Sequence, residues 1–588
     1  MDLAKFSPCP VLYKPNSSEY NEKIRMFQGC PTIAVTKGGR IYCGWYSGGI
    51  GEPHMRNYNL LIYSDDQGKT WSKPLLVIPS SCTLKIHALD IQLFIDPDGA
   101  LHVLWVQNNV LTEEEPLPKL AKNQPGVSAD GYHFYDFKHS EWEVVCHNPD
   151  DYEPLFSEPR FLYNGFLRCK PTFLQNGDWL CFAYDQLTDC YGYYISHDSG
   201  KTFTHYYGAK KIDTFFDEGM AYQLDNGTIR MFARNHYGRL SECESKDNGI
   251  TWSDTKLSDI VHADSRFFVK KLPSGRIMLI TNDDKARRKL SVSLSEDDGI
   301  TWKYKKCIDQ RDNLSYPDAD FSDGKIYLTY DRGRTTEKEI LFTSFSEDDI
   351  IEDSNIDISV ISKPLICPKK EEVIQSIEEN KLVVSLRNVP SEKLLKTAEA
   401  LYCGGVRLIE VPYCDDEHIG DEEIAEQIRI LAEHFYGKML IGAGSVVTQE
   451  QVRKTKEVGG AFIISPNTNK MVIFESHICG LVSIPGAFTP SEIKYADECG
   501  ADFVKLFPIS CLGETFVRAV KAPFSKIKLF AVGGVDESNL ESYISAGVCG
   551  IGAGSCLVRK DWIEKEDYSS ITALAKTYIE VIGNCCLH

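Results

Sequence analysis

The octapeptide S-x-D-x-G-x-T-W/F occurs four times, as SDDQGKTW at 64, SHDSGKTF at 196, SKDNGITW at 245 and SEDDGITW at 295, with a worn fifth copy, SEDDI, at 346. The last three gaps between these positions are 49, 50 and 51 residues. A fixed period of that length limits the chain to architectures with one supersecondary unit per repeat. Within the motif the Asp side chain can bond amides of its own turn, the Gly can take positive φ, and the aromatic residue can pack beneath the next strand. The copies therefore mark turns and carry no chemistry of their own. The 132-residue gap between the first two copies leaves room for two units whose turns have lost the motif, one of them near HSEWEV at 139–144.

Up to about residue 350 the text consists of short β-type runs such as GRIYCGWY, NLLIYS, RIMLIT and KIYLTY, broken by Gly, Asp and Asn turns. From about 370 it changes to eight apolar runs, KLVVSLR, VRLIEVP, KMLIGAG, AFIIS, LVSIPGA, FVKLFP, IKLFAVGG and CGIGAGS, each followed by a helical pattern. Alternating βα units imply a parallel sheet with helices outside, and eight of them predict a closed (β/α)8 barrel. The expected division is an all-β domain over 1–355, a linker over 356–369 and a barrel over 370–588.

A net charge of −20 disfavours nucleic acid and anionic membrane surfaces as partners. Small anionic substrates can still be held by local basic groups. The N-terminal segment lacks the basic start and apolar core of an export signal, and no apolar run approaches the ~18 residues of a membrane span, so a cytoplasmic protein is expected. In such a compartment the 20 cysteines read as free thiols. None is spaced with histidines as a zinc site, and neither a metal nor a cofactor is expected.

The repeated octapeptide is the Asp box, and residues 20–350 resemble the sialidase superfamily, a six-bladed β-propeller. Sialidases depart from the two-carboxylate glycosidase scheme by using a Tyr nucleophile. A neighbouring Glu draws off the phenolic proton, arginines clamp the substrate carboxylate, and an acid protonates the leaving oxygen. The resemblance makes Glu218 the partner acid and Arg234, sixteen residues on in FDEGMAYQLDNGTIRMFAR, a clamp. It makes Arg287, rather than Arg288, another clamp, and Tyr316 in NLSYPDADF the nucleophile. Glu52 lies twelve residues before its Asp box, where the family's leaving-group acid usually stands as Asp. The family's first arginine should fall in MFQGCPTIAV, where this chain has Gln28; Arg25 and Arg56 are the nearby substitutes.

In (β/α)8 barrels, functional groups sit at the C-terminal ends of the strands. Those positions here are Arg387, Glu410, Ser445, Pro466, Gly486, Lys505, Gly533, Gly534, Gly554 and Ser555. A lysine inside the apolar run DFVKLFP is costly as a buried charge, and desolvation frees its amine to attack a carbonyl. Glu410 can move the proton of a hydroxyl undergoing cleavage. VGG and GAGS offer bare amides, expected at a helix N-terminus, to an anion such as phosphate.

Over 370–588 the chain resembles the 2-keto-3-deoxy-6-phosphogluconate and 4-hydroxy-2-oxoglutarate aldolases, through GGVRLIEV, IGAGSV, FIISP, IPGAFTPSE, VKLFP, VGGV and GAGS in that order. The resemblance implies a trimer, with Lys505 as the Schiff-base lysine and Glu410 as the acid/base. Arg387 and Ser445 become contacts of the pyruvate moiety, and Gly533, Gly534 and Ser555 the phosphate site. Where some members carry Arg or Thr four residues after the acid, this chain has Cys414.

Together the two resemblances predict a bifunctional enzyme acting on small sugar acids. The propeller would release a 2-keto-3-deoxy sugar acid, and the barrel would split one like it into pyruvate and an aldehyde. Two alternatives stay open on the sequence alone: a non-catalytic carbohydrate-binding or assembly propeller, and a propeller acting on uronic or neutral sugars as glycosidase or lyase.

Overall fold

The computed structural model describes residues 3–585 apart from 18–19, 23–24, 50, 113–131, 135–138, 185–187, 213, 215, 217, 365–367 and 414–419. Cys414 lies outside the described residues. The chain forms two compact units, Met1–Pro364 and Leu365–His588. Among the described residues no helix is long and apolar enough to cross a membrane.

The first unit is a six-bladed propeller of antiparallel sheets. The innermost strands of the six blades are Phe27–Val35, Ile86–Ile95, Thr172–Phe173, Gly219–Gln223, Phe268–Lys271 and Leu314–Ser322. Thr32 and Asp318 close the ring. The Asp318 carboxylate accepts the Thr32 hydroxyl at 2.8 Å and the Ile33 N–H at 2.9 Å, joining blade 6 to blade 1. Thr32 Oγ1 in turn accepts from Gln92 and the Leu93 N–H, joining blade 1 to blade 2. Only one blade, whose third strand is Ser140–Cys146 within HSEWEV, fills the gap between the first two Asp boxes. The spacing leaves room for two; long strands such as Leu101–Thr112 take up part of the excess. The sixth blade also runs into the stretch expected to be linker, because Ser359–Ser362 pairs with Glu339–Phe345 as its outer strand.

Each full Asp box is a turn locked by its own side chains. In the first, the Asp66 carboxylate accepts the Thr70 N–H at 2.8 Å and its hydroxyl at 2.6 Å, while Ser64 Oγ accepts the Gly68 N–H at 2.9 Å. The copies starting at Ser196, Ser245 and Ser295 repeat these three bonds. In the worn copy Ser346 has become the N-cap of a short helix, Glu347–Ile351, with Asp349 closing a capping box.

The second unit is a nearly closed parallel barrel. Around it run Val482–Ile484, Phe462–Ile464, Leu440–Gly444, Leu408–Pro412, Leu382–Ser385, Gly550–Ala553, Leu529–Val532, Val504–Leu506 and Gly486–Ala487. The first and last of these nine are consecutive in the chain, separated only by Pro485, which has no N–H to give to a ladder. Helices between the strands pack their apolar faces on the outside, and Lys370–Asn380 precedes the first strand.

The Asp-box glycines separate two causes of strain. Gly200 and Gly249 both have φ near +80°, at 78° and 88°, but a Cβ on Gly200 would lie 2.4 Å from the Trp179 ring, whereas on Gly249 its nearest neighbour is Leu180 at 3.7 Å. Gly249→Ala should therefore lower stability by about 1–2 kcal/mol, the cost of left-handed backbone. Gly200→Ala should lose a further ~1–3 kcal/mol from overpacking, read by denaturant melts of the full chain. Equal losses would show that φ alone governs these turns.

Candidate active sites

Tyr316 lies near the start of the innermost strand of blade 6, at φ 53°, and is buried. Its hydroxyl donates to Glu218 Oε1 at 2.9 Å. Arg168 Nη1 donates to the phenol oxygen at 2.8 Å and to Glu218 Oε1 at 3.0 Å. Arg234 Nη1 does the same from the other side, at 3.0 Å to the phenol and 3.2 Å to Glu218 Oε2. Three residues expected in one site, Tyr316, Glu218 and Arg234, thus meet there, and Arg168 joins them unannounced.

Glu218 is 1% exposed. Burial alone would raise its pKa, but the guanidiniums of Arg234 and Arg168 and the Tyr316 hydrogen bond outweigh that and hold the carboxyl at about 2. Burial, followed by the Glu218 charge, pushes the Tyr316 phenol up against the pull of the surrounding arginines. The arrangement is an ionised carboxylate hydrogen-bonded to a neutral phenol beneath a dense cationic field.

Arg287 stacks its guanidinium 5.7 Å from the Tyr316 ring centre and donates to the Asp264 carbonyl at 3.0 Å. Arg288 faces away and pairs with Asp284. Neither Gln28 nor Arg25 can serve as a clamp. The Gln28 amide is consumed by the carbonyls of Lys338 and Ser362 and by Trp45, and Arg25 by Tyr58, Ser362 and the Tyr20 carbonyl. Both are tied into contacts between the first and last blades of the propeller. Arg334, from the turn after the second strand of blade 6, instead lies 4.0 Å over the Tyr316 ring. Arg266, also beside the ring, is committed to the carbonyls of Pro31, Arg168 and Tyr316.

Glu52 reaches the same pocket and pairs with Arg334 Nη1 at 3.1 Å. Burial raises its pKa, opposed first by Arg334. Ligand atoms of Cys30, Glu52 and Asp90 lie within 4.8 Å of one another, close enough for a metal ion. Each carboxylate already has its cation, however: Arg334 for Glu52, and Arg168 Nη2 for Asp90 at 2.7 Å. The charge that would draw in a metal is met by the protein.

In the barrel, Lys505 occupies the middle of Val504–Leu506, between Gly486 and Phe530 in register, and is 7% exposed. Burial lowers its pKa, with Glu410 pulling it back up and Arg387 adding to the fall. The Phe507 ring lies 4.4 Å from the amine. Glu410, in Leu408–Pro412, is buried with Oε2 lacking any hydrogen-bond partner. Gly444 leaves room for its carboxyl as placed: a Cβ there would come within 2.4 Å of Oε2. Arg387 Nη2 donates to Ser445 Oγ at 2.8 Å. Gly486 lets its strand approach the Pro466 carbonyl, 2.2 Å from where a Cβ would stand.

Gly533 and Gly534 both turn at φ 91°, with Gly534 against Ser510. After Gly554, the Leu557 and Val558 N–H groups donate back to its carbonyl at 3.0 and 2.9 Å, and Ser555 is exposed. Neither stretch opens a helix, contrary to expectation. The next helices start at Leu540 and Lys560, so any anion bound here would meet turn amides.

Fold and site together define a propeller carrying a Tyr–Glu–Arg cluster, followed by a barrel with a buried lysine in one of its strands. Through its second unit the chain belongs to the KDPG and KHG aldolases, a family whose model matches residues 373–574, while the BNR repeat-like domain matches 39–328. It is 32% identical over 202 residues to the 2-dehydro-3-deoxy-6-phosphogalactonate aldolase of Escherichia coli, covering 34% of this chain and 96% of that protein. It is likewise 32% identical over 205 residues to the 2-dehydro-3-deoxy-phosphogluconate aldolase of Treponema pallidum, covering 34% and 92%. Among solved structures, a native KDPGal structure matches at 30% identity and a TM-score of 0.32, over 35% of this chain and 96% of that one. A NanB sialidase from Streptococcus pneumoniae matches at 16% identity and a TM-score of 0.42, over 61% and 70%.

The pairing of Glu218 with its arginines sets a pH signature. Its carboxyl is depressed from an ordinary ~4.3 to about 2, so the stability it contributes is present above pH ~4.3 and is lost as pH falls towards 2. Glu218→Gln should flatten acid destabilisation in that window. Arg168→Met, which strips Glu218 and Asp90 of a shared cation, should cost about 3–5 kcal/mol at neutral pH. Adding Asp90→Asn should recover part of that loss in the same denaturant titration; no recovery would mean the pairing is not what Arg168 supplies.

Proposed function

We propose that the chain is a bifunctional enzyme of carbohydrate breakdown. Its barrel, read as a (β/α)8 fold, is a class I aldolase cleaving 2-keto-3-deoxy sugar acids, phosphorylated ones included. Its propeller is a retaining glycosidase for glycosides of such acids. The observation that carries the first half is an amine, Lys505, whose pKa is lowered by burial and raised back by Glu410, an acid with an unpartnered buried oxygen.

In this reading the Lys505 amine attacks the substrate ketone and water leaves, giving an iminium. Glu410 takes the proton of the hydroxyl on the far carbon of the bond to be cleaved, the carbon that becomes the aldehyde. The carbon–carbon bond breaks, its electrons flow into the iminium, and an aldehyde departs. Protonation of the enamine and hydrolysis then release pyruvate. Arg387 and Ser445 hold the substrate carboxylate, with Pro466 and Gly486 lining its path. Gly533, Gly534, Gly554 and Ser555 supply the amides and hydroxyl for a distal phosphate.

In the propeller, the Tyr316 oxygen attacks the anomeric carbon as Glu218 accepts its proton, and Glu52 protonates the departing oxygen. Water then resolves the glycosyl-tyrosine. A neutral nucleophile suits a substrate that carries its own carboxylate, which Arg234 and Arg287 bind. Support comes from the 2.9 Å contact between Tyr316 and Glu218 and the arginines around it. The released hemiketal opens to a ketone beside a carboxylate, the group the barrel consumes. Where the barrel requires phosphate, a phosphotransferase acts between the two. We further propose that the protein is cytoplasmic and assembles as a trimer through the barrel.

With an aryl ketoside of a 2-keto-3-deoxy acid, Tyr316→Phe should abolish turnover and leave aldol cleavage intact. Glu410→Gln should slow cleavage by about 10²–10⁴-fold without touching ketoside hydrolysis. Ketoside binding without turnover by the unaltered chain would make the propeller a binding module, and an unsaturated sugar product would make it a lyase.

A further inference from the structure

No sequence motif marks Arg334, yet it touches both partners that the propeller chemistry needs. Its guanidinium lies 4.0 Å over the Tyr316 ring, Nη1 meets Glu52 at 3.1 Å, and Nε meets Asp331 at 3.1 Å. Nη2 is buried without an acceptor. The side chain crosses Gly29, where a Cβ would stand 2.8 Å from Arg334 Cγ and 2.9 Å from Nε. The backbone holds this crossing in place. The Gln28 N–H donates to the Arg334 carbonyl at 3.1 Å, and the Cys30 N–H to Asp331 Oδ2 at 2.8 Å. Position 29 thus lacks a side chain where the arginine from blade 6 lies.

Glu52 is the acid that Arg334 neutralises. Around its carboxyl stand Arg334 and Asp331 of blade 6, Cys30 and Tyr46 of blade 1, Asp90 of blade 2, and Arg168 ahead of blade 3. Arg168 is held by Asp90, Glu218 and Tyr316. Arg334 is therefore the cation whose movement would change the charge at Glu52 most.

We propose that Arg334 is a positioning residue that exchanges partners: it holds Glu52 in the free protein, then turns to the carboxylate of an anionic glycoside and releases Glu52 to take up the proton for the leaving oxygen. The proposal rests on the glycosidase reading of the propeller. The orphaned Nη2 is a donor for which the protein supplies no acceptor and a substrate carboxylate would. Once bound, that carboxylate cancels the guanidinium and adds a like charge beside Glu52, and both changes favour the protonated acid. The proton comes from solvent, and Arg334 makes and breaks no covalent bond.

The test is the pH dependence of hydrolysis of an alkyl ketoside, whose poor leaving group needs the acid. The kcat/KM profile reports groups of the free enzyme and kcat those of the complex. Activity falls as pH rises through the Glu52 pKa, so in the wild type the basic limb of kcat should lie at higher pH than that of kcat/KM. In Arg334→Gln the basic limb of kcat/KM should move to higher pH, narrowing the gap to what the substrate's own charge produces, and KM should rise about tenfold, the loss of one charge-assisted hydrogen bond; Arg334→Lys should restore part of both. Gly29→Ala displaces the guanidinium without removing it and should reproduce the Arg334→Gln profile, which guards against a folding defect in the charge variant. Coincident limbs in the wild type, or a gap as wide as the wild type's in both variants, overturn the exchange while leaving the glycosidase reading standing. No turnover by the wild type overturns both.

Discussion

Withdrawing the Lys505 amine from water is the constraint on which the chemistry proposed for the second unit depends. An ammonium group transferred into an apolar interior loses hydration that one carboxylate does not replace, so the neutral, nucleophilic amine gains ground. Much of the barrel's local detail serves that condition. Leu506 and Val504 flank the lysine in a central strand, Phe507 covers its head, and Gly486 lets the neighbouring strand close in at the Pro485 break. Glu410 is admitted to the same interior because Gly444 leaves room for its carboxyl.

The propeller solves the opposite problem. Its pocket gathers Arg168, Arg234, Arg287 and Arg334 around one tyrosine and keeps them charged by pairing: Arg168 with Asp90 and Glu218, Arg234 with Glu218 and Asp264, Arg334 with Asp331 and Glu52. Buried ion pairs of this kind stabilise little in themselves, since desolvation offsets the attraction. What they provide is a fixed field, assembled in advance, at the place where an anionic substrate and a developing charge would sit. Removing one member leaves another charge stranded, which ties the integrity of the fold to that of the site.

Much of this was legible in the sequence because it is locally encoded. The Asp boxes announce their turns by side chains that bond within eight residues, and the barrel strands announce themselves as apolar runs. Tyr316, Glu218 and Arg234 could be found because each sits in a recognisable segment. Arg168 and Arg334 could not, because they belong to connecting turns with no signature and act only through contacts made across blades. The emptiness of position 29 has meaning only beside Arg334. The blade count in the long gap failed for a related reason: strand and loop length are set by what packs across them, and the octapeptide period says nothing of a blade that lacks the octapeptide. At GAGS the glycine pattern suits a helix start, but the amides that follow turn back on Gly554 and the helix begins later.

Borohydride reduction of the intact protein in the presence of pyruvate, followed by peptide mass mapping, addresses the buried amine most directly. The account predicts one reduced adduct, on the peptide carrying Lys505, forming readily near neutral pH where an ordinary lysine with a pKa of ~10.4 would be almost wholly protonated. Capture at a different lysine, or no capture at all with Lys505 titrating as an ordinary ammonium, would contradict it.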